Sequence, residues 1–472
     1  MTRRTRTILW WVGGCVAILV AIGAAIVGIG FHIFYPTPPA PSGPPPRDLA
    51  SAQRQDLAYF RHYFDLDRAY SDAARAKALG LWSKAEARAG SLTSPQFDLA
   101  ILAMVALADN GHSQVFRNPM ARGLHRVPCR LYHFSDGYRI LRARPACAAL
   151  LGGRVDAIDG RPVGAIVDAM FVYAGGPRAH YDQYSSTYFL ELPELLHAAG
   201  LGARDDAATW TVTMPDGSTR SATLPVDPPD PSSPRVFGDR FLSPQPIPGE
   251  LSDWTPYLAR DAMLPMFLTD YATPFRTRYL AESRTYYAEL KSNDDENGYA
   301  IAPFVDGVKR DVATLNPRTL IVDLRFNQGG NFTKTASLMK HVTSLAPSIE
   351  HVYLLTSAWT FSAGNVNIAL AREHGQGRVT VVGEGPGDRV RIWAEGGDIV
   401  LPNSKLDIGF ATGLHDYSKS CFGEPGCFWV LYLYPTHVAS LAPDVDVPYT
   451  FADYAAGRDP VLARAMAMAD DR

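Results

Sequence analysis

Short apolar runs alternate with stretches of helical spacing between residues 286 and 383, and this alternation restricts the fold more than any other feature of the chain. Strands are expected over 286–290, 320–324, 352–356 and 378–383, with helices over 303–314, 335–342 and 363–373 between them. Such a rhythm builds an α/β domain with a largely parallel sheet, whose ligands gather at the carboxyl ends of the strands. Two of those ends are unusual. Residues 319–331, TLIVDLRFNQGGN, deliver Asp323, Arg325 and a Gly329-Gly330 pair. Residues 353–365, YLLTSAWTFSAGN, deliver Ser362 among small neighbours.

Each turn carries chemistry. Paired glycines reach the φ > 0 geometry in which successive N–H groups form an anion-binding nest. A serine opening a helix is either an N-cap or a nucleophile held beside N–H groups that meet developing negative charge. Asp323, Arg325 and Asn327 are expected to brace the glycine loop. Neither motif contains a base. Far upstream, Asn110-Gly111-His112-Ser113 follows a helix expected from an Ser94 cap and Pro95 to Ala108. The ordinary near-neutral pKa of a histidine would suit His112 to proton shuttling; a core or surface histidine is the alternative.

DLRFNQGG followed by TFSAGN, with NGHS upstream, resembles the tail-specific (carboxyl-terminal processing) protease superfamily over roughly residues 90–459. The resemblance implies a crotonase-like mixed α/β protease core with an inserted PDZ-like β domain. It makes Ser362 the nucleophile and the N–H groups of Gly330, Ala363 and Gly329 the oxyanion donors. Serine–lysine members carry a lysine base in a segment matched here by Gly383-Glu384-Gly385-Pro386-Gly387-Asp388-Arg389, with arginine in the lysine's place. Arginine stays protonated and cannot take a proton from serine. Lys334 and Lys340 match no motif. The chain thus looks closer to the tricorn-core and retinoid-binding-repeat branch, in which a loop histidine, here His112, is the base. Ser113 and a carboxylate, Glu384 or Glu395, would orient it. The function implied is a serine peptidase working through an acyl-enzyme on peptide or unfolded-protein substrates, without metal or cofactor. A non-catalytic binder of lipophilic ligands or peptide tails, and an esterase, are the alternatives.

The domain expectation runs from the N-terminus. Residues 1–34 are a short basic stub, MTRRTR, and an uncharged apolar run long enough to span a bilayer, with the basic flank cytoplasmic. An uncleaved anchor is expected rather than a signal peptide, and the bulk of the chain would then be periplasmic or extracellular. A Pro-rich linker, 35–48, acts as a stiff spacer. A helical region carrying His112 (49–126), a PDZ-like β domain (127–226) and the α/β catalytic core (227–472) follow. A net charge of −3, with no lysine- or arginine-rich tract, argues against a nucleic-acid partner. Cys129, Cys147, Cys421 and Cys427 form an even set in an exported region, where disulfides persist. Cys421 and Cys427 close a short turn-rich loop, which leaves Cys129 with Cys147; four buried thiols are the alternative.

Overall fold

The computed structural model describes residues 18, 23, 28–234 and 238–470. At its centre lies a six-stranded sheet of β1 (Phe275–Leu280), β2 (Thr285–Leu290), β3 (Thr319–Asp323), β4 (His351–Thr356), β5 (Val379–Gly383) and β6 (Val445–Asp446). Neighbours follow chain order, and every pair is parallel except the β1–β2 edge. Helices α1 (Ile301–Leu315), α2 (Thr333–Met339) and α3 (Ala363–His374) connect β2 to β5, and α4 (Pro460–Asp470) follows the last strand.

Both faces of this sheet are covered. Leu320, Val322, Val352 and Leu354 pack beneath α1–α3, where α1 contributes Ile301, Val305, Val308 and Val312 at helical spacing. The residues between them, Ile321, Tyr353 and Leu355, meet Val461, Ala465 and Ala469 of α4 on the opposite side. Two-sided burial is why these strands read as unbroken apolar runs rather than alternating ones. Each large apolar side chain removed from water contributes roughly 1.5–3 kcal/mol, so the register is strongly held. That register opposes Asp323 to Leu355 and Thr356 to Gly383. The loops after β3, β4 and β5 therefore leave the sheet side by side.

The N-terminal region is helical over Leu49–Phe60, Tyr63–Leu66, Asp72–Ala87 and Ser94–Ala106. The last of these is capped not by Ser94 but by Thr93, in a capping box with Gln96. Thr-x-x-Gln satisfies two backbone donors reciprocally, which outweighs a lone serine one residue later. Strands Cys129–Phe134, Gly137–Ala143, Arg154–Ile158, Ala207–Thr213 and Thr219–Pro225 form an antiparallel sheet, with turns at Asp136-Gly137, Asp159-Gly160 and Pro215-Asp216-Gly217. This region is less purely β than expected. Helices from Val163–Met170 to Pro193–Ala198 interrupt it, and Thr255–Pro256, beyond residue 226, pairs with Gly137–Ala143. Cys129 is disulfide-bonded to Cys147 and Cys421 to Cys427.

Most of the expected anchor lies outside the described residues, and among those described no helix is long and apolar enough to cross a membrane. Residues 28–34 are helical. This stem docks on the core: Phe34 is buried edge-on against Phe428, and its carbonyl accepts a 2.6 Å hydrogen bond from Thr412.

Candidate active site

Ser362 ends the β4 loop and opens α3 with its backbone at φ 52°, ψ −121° and no side-chain capping bond. A non-glycine residue in such a region costs about 1–3 kcal/mol and persists only where its surroundings over-determine it. The neighbouring β3 loop does so. Phe361 N–H donates to the Asn327 carbonyl at 2.9 Å, and Thr360 Oγ1 donates to the Leu324 carbonyl at 2.8 Å. Gly329, at φ 109°, lies flat against the serine, and a Cβ there would stand 2.6 Å from Ser362 Cβ. Ser362 is thus a serine in a sharp strand-to-helix turn whose Oγ does not cap the helix.

The β3 loop is braced as expected. Buried Arg325 donates to both Asp323 and Asp459 and lies 3.7 Å from the centre of the Phe267 ring. Burial lowers its pKa, but Asp323 and Asp459 more than offset this, and the guanidinium stays charged. Asn327 Nδ2 donates to the Leu290 carbonyl, and its Oδ1 accepts from Gly329 N–H at 3.0 Å. That last bond corrects one expectation, because the Gly329 N–H is engaged and cannot serve as an oxyanion donor. Among the described residues, the N–H groups of Gly330 and Ala363 have no hydrogen-bond partner.

His112 arrives from the other end of the chain. Gln114–Val115 pairs antiparallel with Asp407–Phe410, and Asn110 exchanges hydrogen bonds with the backbone of Trp393 in both directions. Ser113 Oγ donates to Asp67 at 2.6 Å, and Asp67 also accepts from Ala411 N–H. Asn110 and Ser113 thus stitch the loop in place, and His112 is left to line a cavity of about 600 Å³ with Ser362, His180, Trp359, Phe361 and Glu395. Phe361 stacks between His112 and His180, with centroids 4.6 and 4.5 Å away. Gly111 permits this, since a Cβ there would meet the Phe361 ring at 2.9 Å.

The carboxylate beside His112 is Asp388, with Oδ2 3.4 Å from Nδ1. His112 is 17% exposed, through its carbon edge, while both ring nitrogens are buried without a hydrogen bond. Burial, helped by His415, lowers its pKa to about 3 against the pull of Glu395. Burial raises Asp388 to about 7, partly countered by the backbone N–H and charge of Arg389. Neighbouring groups with pKa values pushed apart are a mark of acid–base sites.

No protein-family model matches the sequence, and no curated protein matches it either. Solved structures do match. Mature CPAF complexed with lactacystin gives a TM-score of 0.55 at 12% identity, covering 90% of this chain and 100% of that one. Mature CPAF alone gives 0.54 at 12% identity, covering 89% and 97%. The chain shares the CPAF fold. The tricorn protease, with a TM-score of 0.39 at 14% identity over 89% of this chain and 37% of that one, carries no choice between branches.

Within this CPAF-like fold the remaining site residues take different positions. Glu395 lines the cavity and accepts hydrogen bonds from His415 Nε2 at 3.1 Å and from Tyr35 Oη. Ser113 is turned to Asp67, and Glu384 accepts from Tyr449 N–H at 3.1 Å, so neither is directed at His112. Arg389 lies outside, paired with Asp109, and Lys334 pairs with Asp294. Sequence reasoning missed Asp388, Asp67, His180 and His415. The one sequence cue for Asp388 was its place next to Arg389 in the segment that follows β5; its burial and raised pKa appear only in the fold.

Proposed function

We propose that this chain is a serine peptidase, held at a membrane by its N-terminal segment, with Ser362 as nucleophile and His112 as base. The observation that carries the reading is the strained backbone of Ser362 at the start of α3, on a cavity it shares with His112. In the proposed reaction Ser362 Oγ bonds to the peptide carbonyl carbon while its proton passes to His112. The carbonyl electron pair moves onto oxygen, facing the Gly330 and Ala363 N–H groups. Collapse breaks the C–N bond, and the imidazolium returns the proton to the leaving amine. Water then hydrolyses the acyl-enzyme by the same route. His112 is neutral at pH 7 but burial makes it a weak base, so the reading needs an ionised Asp388 beside it to hold the imidazolium that forms. The basic stub and apolar run support the anchor, and two disulfides support an oxidising compartment outside the cytoplasm.

The test is labelling of the full chain by a fluorophosphonate, with peptide hydrolysis read alongside. Wild type is expected to label and cleave, and Ser362→Ala and His112→Ala to do neither. An unlabelled wild type, or labelling that survives in Ser362→Ala, rejects the assignment.

A further inference from the structure

Ser362 lines one cavity, and a second opens on the far side of the glycine pair that abuts it. The first holds His112. The second, about 380 Å³, lies beyond the glycine pair and is walled by Gly330, Phe332, Phe428 and Trp429 together with Phe31 and Tyr35 of the stem. The two share Glu395 as a wall residue. The glycine loop separates them, since Gly329 abuts the serine and Gly330 borders the second cavity. An extended peptide whose carbonyl oxygen faces the Gly330 and Ala363 N–H groups must run to both sides of the serine. Its side chains alternate in direction, which offers a residue flanking the cleaved bond a route toward the second cavity.

We infer that this second cavity is a substrate subsite for a large apolar or aromatic side chain, and that the membrane-proximal stem supplies one of its walls. This rests on the peptidase reading. Phe332 and Phe428 are buried, whereas Phe31 and Trp429 are 62% and 43% exposed, an apolar surface left open on the cavity's outer side. The stem does not merely lean there. Tyr35 Oη donates to Glu395, Phe34 packs on Phe428, and the Trp429 indole lies 3.8 Å from where a Cβ on Gly30 would stand. The polar wall repels an acidic guest, because Glu395, which accepts from Tyr35 and His415, is held ionised there. The volume sits near the lower end of small-ligand sites, about 300–1,000 Å³, which suits one side chain. A segment that tethers the chain would thereby also select what is cut.

The experiment uses the full chain in detergent micelles with two fluorogenic peptide series, scanning Leu, Phe, Gly and Asp on either side of the scissile bond. Fluorophosphonate labelling is measured in parallel. Wild type is expected to favour Leu or Phe at one flanking position. Trp429→Ala and Phe31→Ala are expected to raise KM for those peptides about tenfold, the scale of losing apolar contact in a pocket. The kcat and the labelling rate should be unchanged, and Trp429→Phe should keep the preference. Intact labelling with no apolar preference, or a preference untouched by both alanine variants, overturns the subsite while leaving the nucleophile standing. A wild type that neither labels nor cleaves overturns both.

Discussion

Two histidine–carboxylate pairs each place one member, His112 or Glu395, on the same cavity, and their carboxylates are in different electrostatic states. His415 and Glu395 are 3.1 Å apart, and Tyr35 also donates to Glu395. Burial raises the Glu395 pKa, but its bonds to His415 and Tyr35 more than compensate, leaving it below the usual carboxylate range. His112 and Asp388 are 3.4 Å apart, and Asp388 accepts a hydrogen bond only from the Arg389 N–H, its Oδ2 facing His112 without one. Its pKa is therefore raised, to about 7. Asp388 is the more deeply buried carboxylate, 1% exposed against 18% for Glu395, and it also has fewer donors, so both burial and hydrogen bonding set the two charges apart. A fully bonded pair is a fixture. An under-bonded carboxylate near neutrality is able to change state during a reaction beside the group that takes the proton.

The largest test of that contrast removes each ring in turn. His112→Ala should lower kcat/KM by about 10³–10⁴-fold, whereas His415→Ala should lower it less than about tenfold. Equal losses in peptide hydrolysis would erase the distinction. Asp388→Asn should lower kcat about 10²-fold with KM unchanged, the mark of a positioning residue. In wild type kcat/KM should rise as pH passes through about 7, where Asp388 ionises; in Asp388→Asn that limb should be flat.

Stability should move in opposite directions at the two pairs. Asp388 has a folded pKa raised to about 7, so its contribution is fully present below the unfolded value and is lost as pH rises through 7. Asp388→Asn should therefore gain on wild type, by on the order of 1–2 kcal/mol, between pH 5 and pH 8 in urea unfolding. Glu395, whose folded pKa is lowered, contributes stability above its unfolded pKa that is lost as pH falls through the folded value. Glu395→Gln should cost about 1–3 kcal/mol at pH 7. The smallest effect is expected outside the cavity. Arg389→Lys restores the residue type of the serine–lysine enzymes, but this side chain is 46% exposed and paired with Asp109. Activity should change less than about twofold and stability by less than about 1 kcal/mol. A lysine that rescued His112→Ala would overturn the placement of the base.

What could be read in advance followed local rules. Strands β2–β5 and helices α1–α3 were legible because two-sided burial writes continuous apolar runs and one-sided burial writes helical spacing. The Ser362 turn and the glycine pair were legible because their backbone needs are local. Asp388 was not, since burial raises its pKa and burial is a property of the assembled fold. The helices within 163–198 were missed because their runs are short and lie between hairpins. The cap at Thr93 was visible in Thr-x-x-Gln and was overlooked beside Ser94-Pro95.

The pairing of Gln114–Val115 with Asp407–Phe410 has a temporal side. The loop that holds His112 is made early in synthesis, yet the loop bearing Asp388 and the strand that fixes the His112 loop follow only after Ser362. On the proposed reading, a chain still emerging would carry a serine with no base beside it. Cleaving power would arrive only when nearly the whole polypeptide has crossed, so the order of translation itself delays self-damage and damage to neighbours.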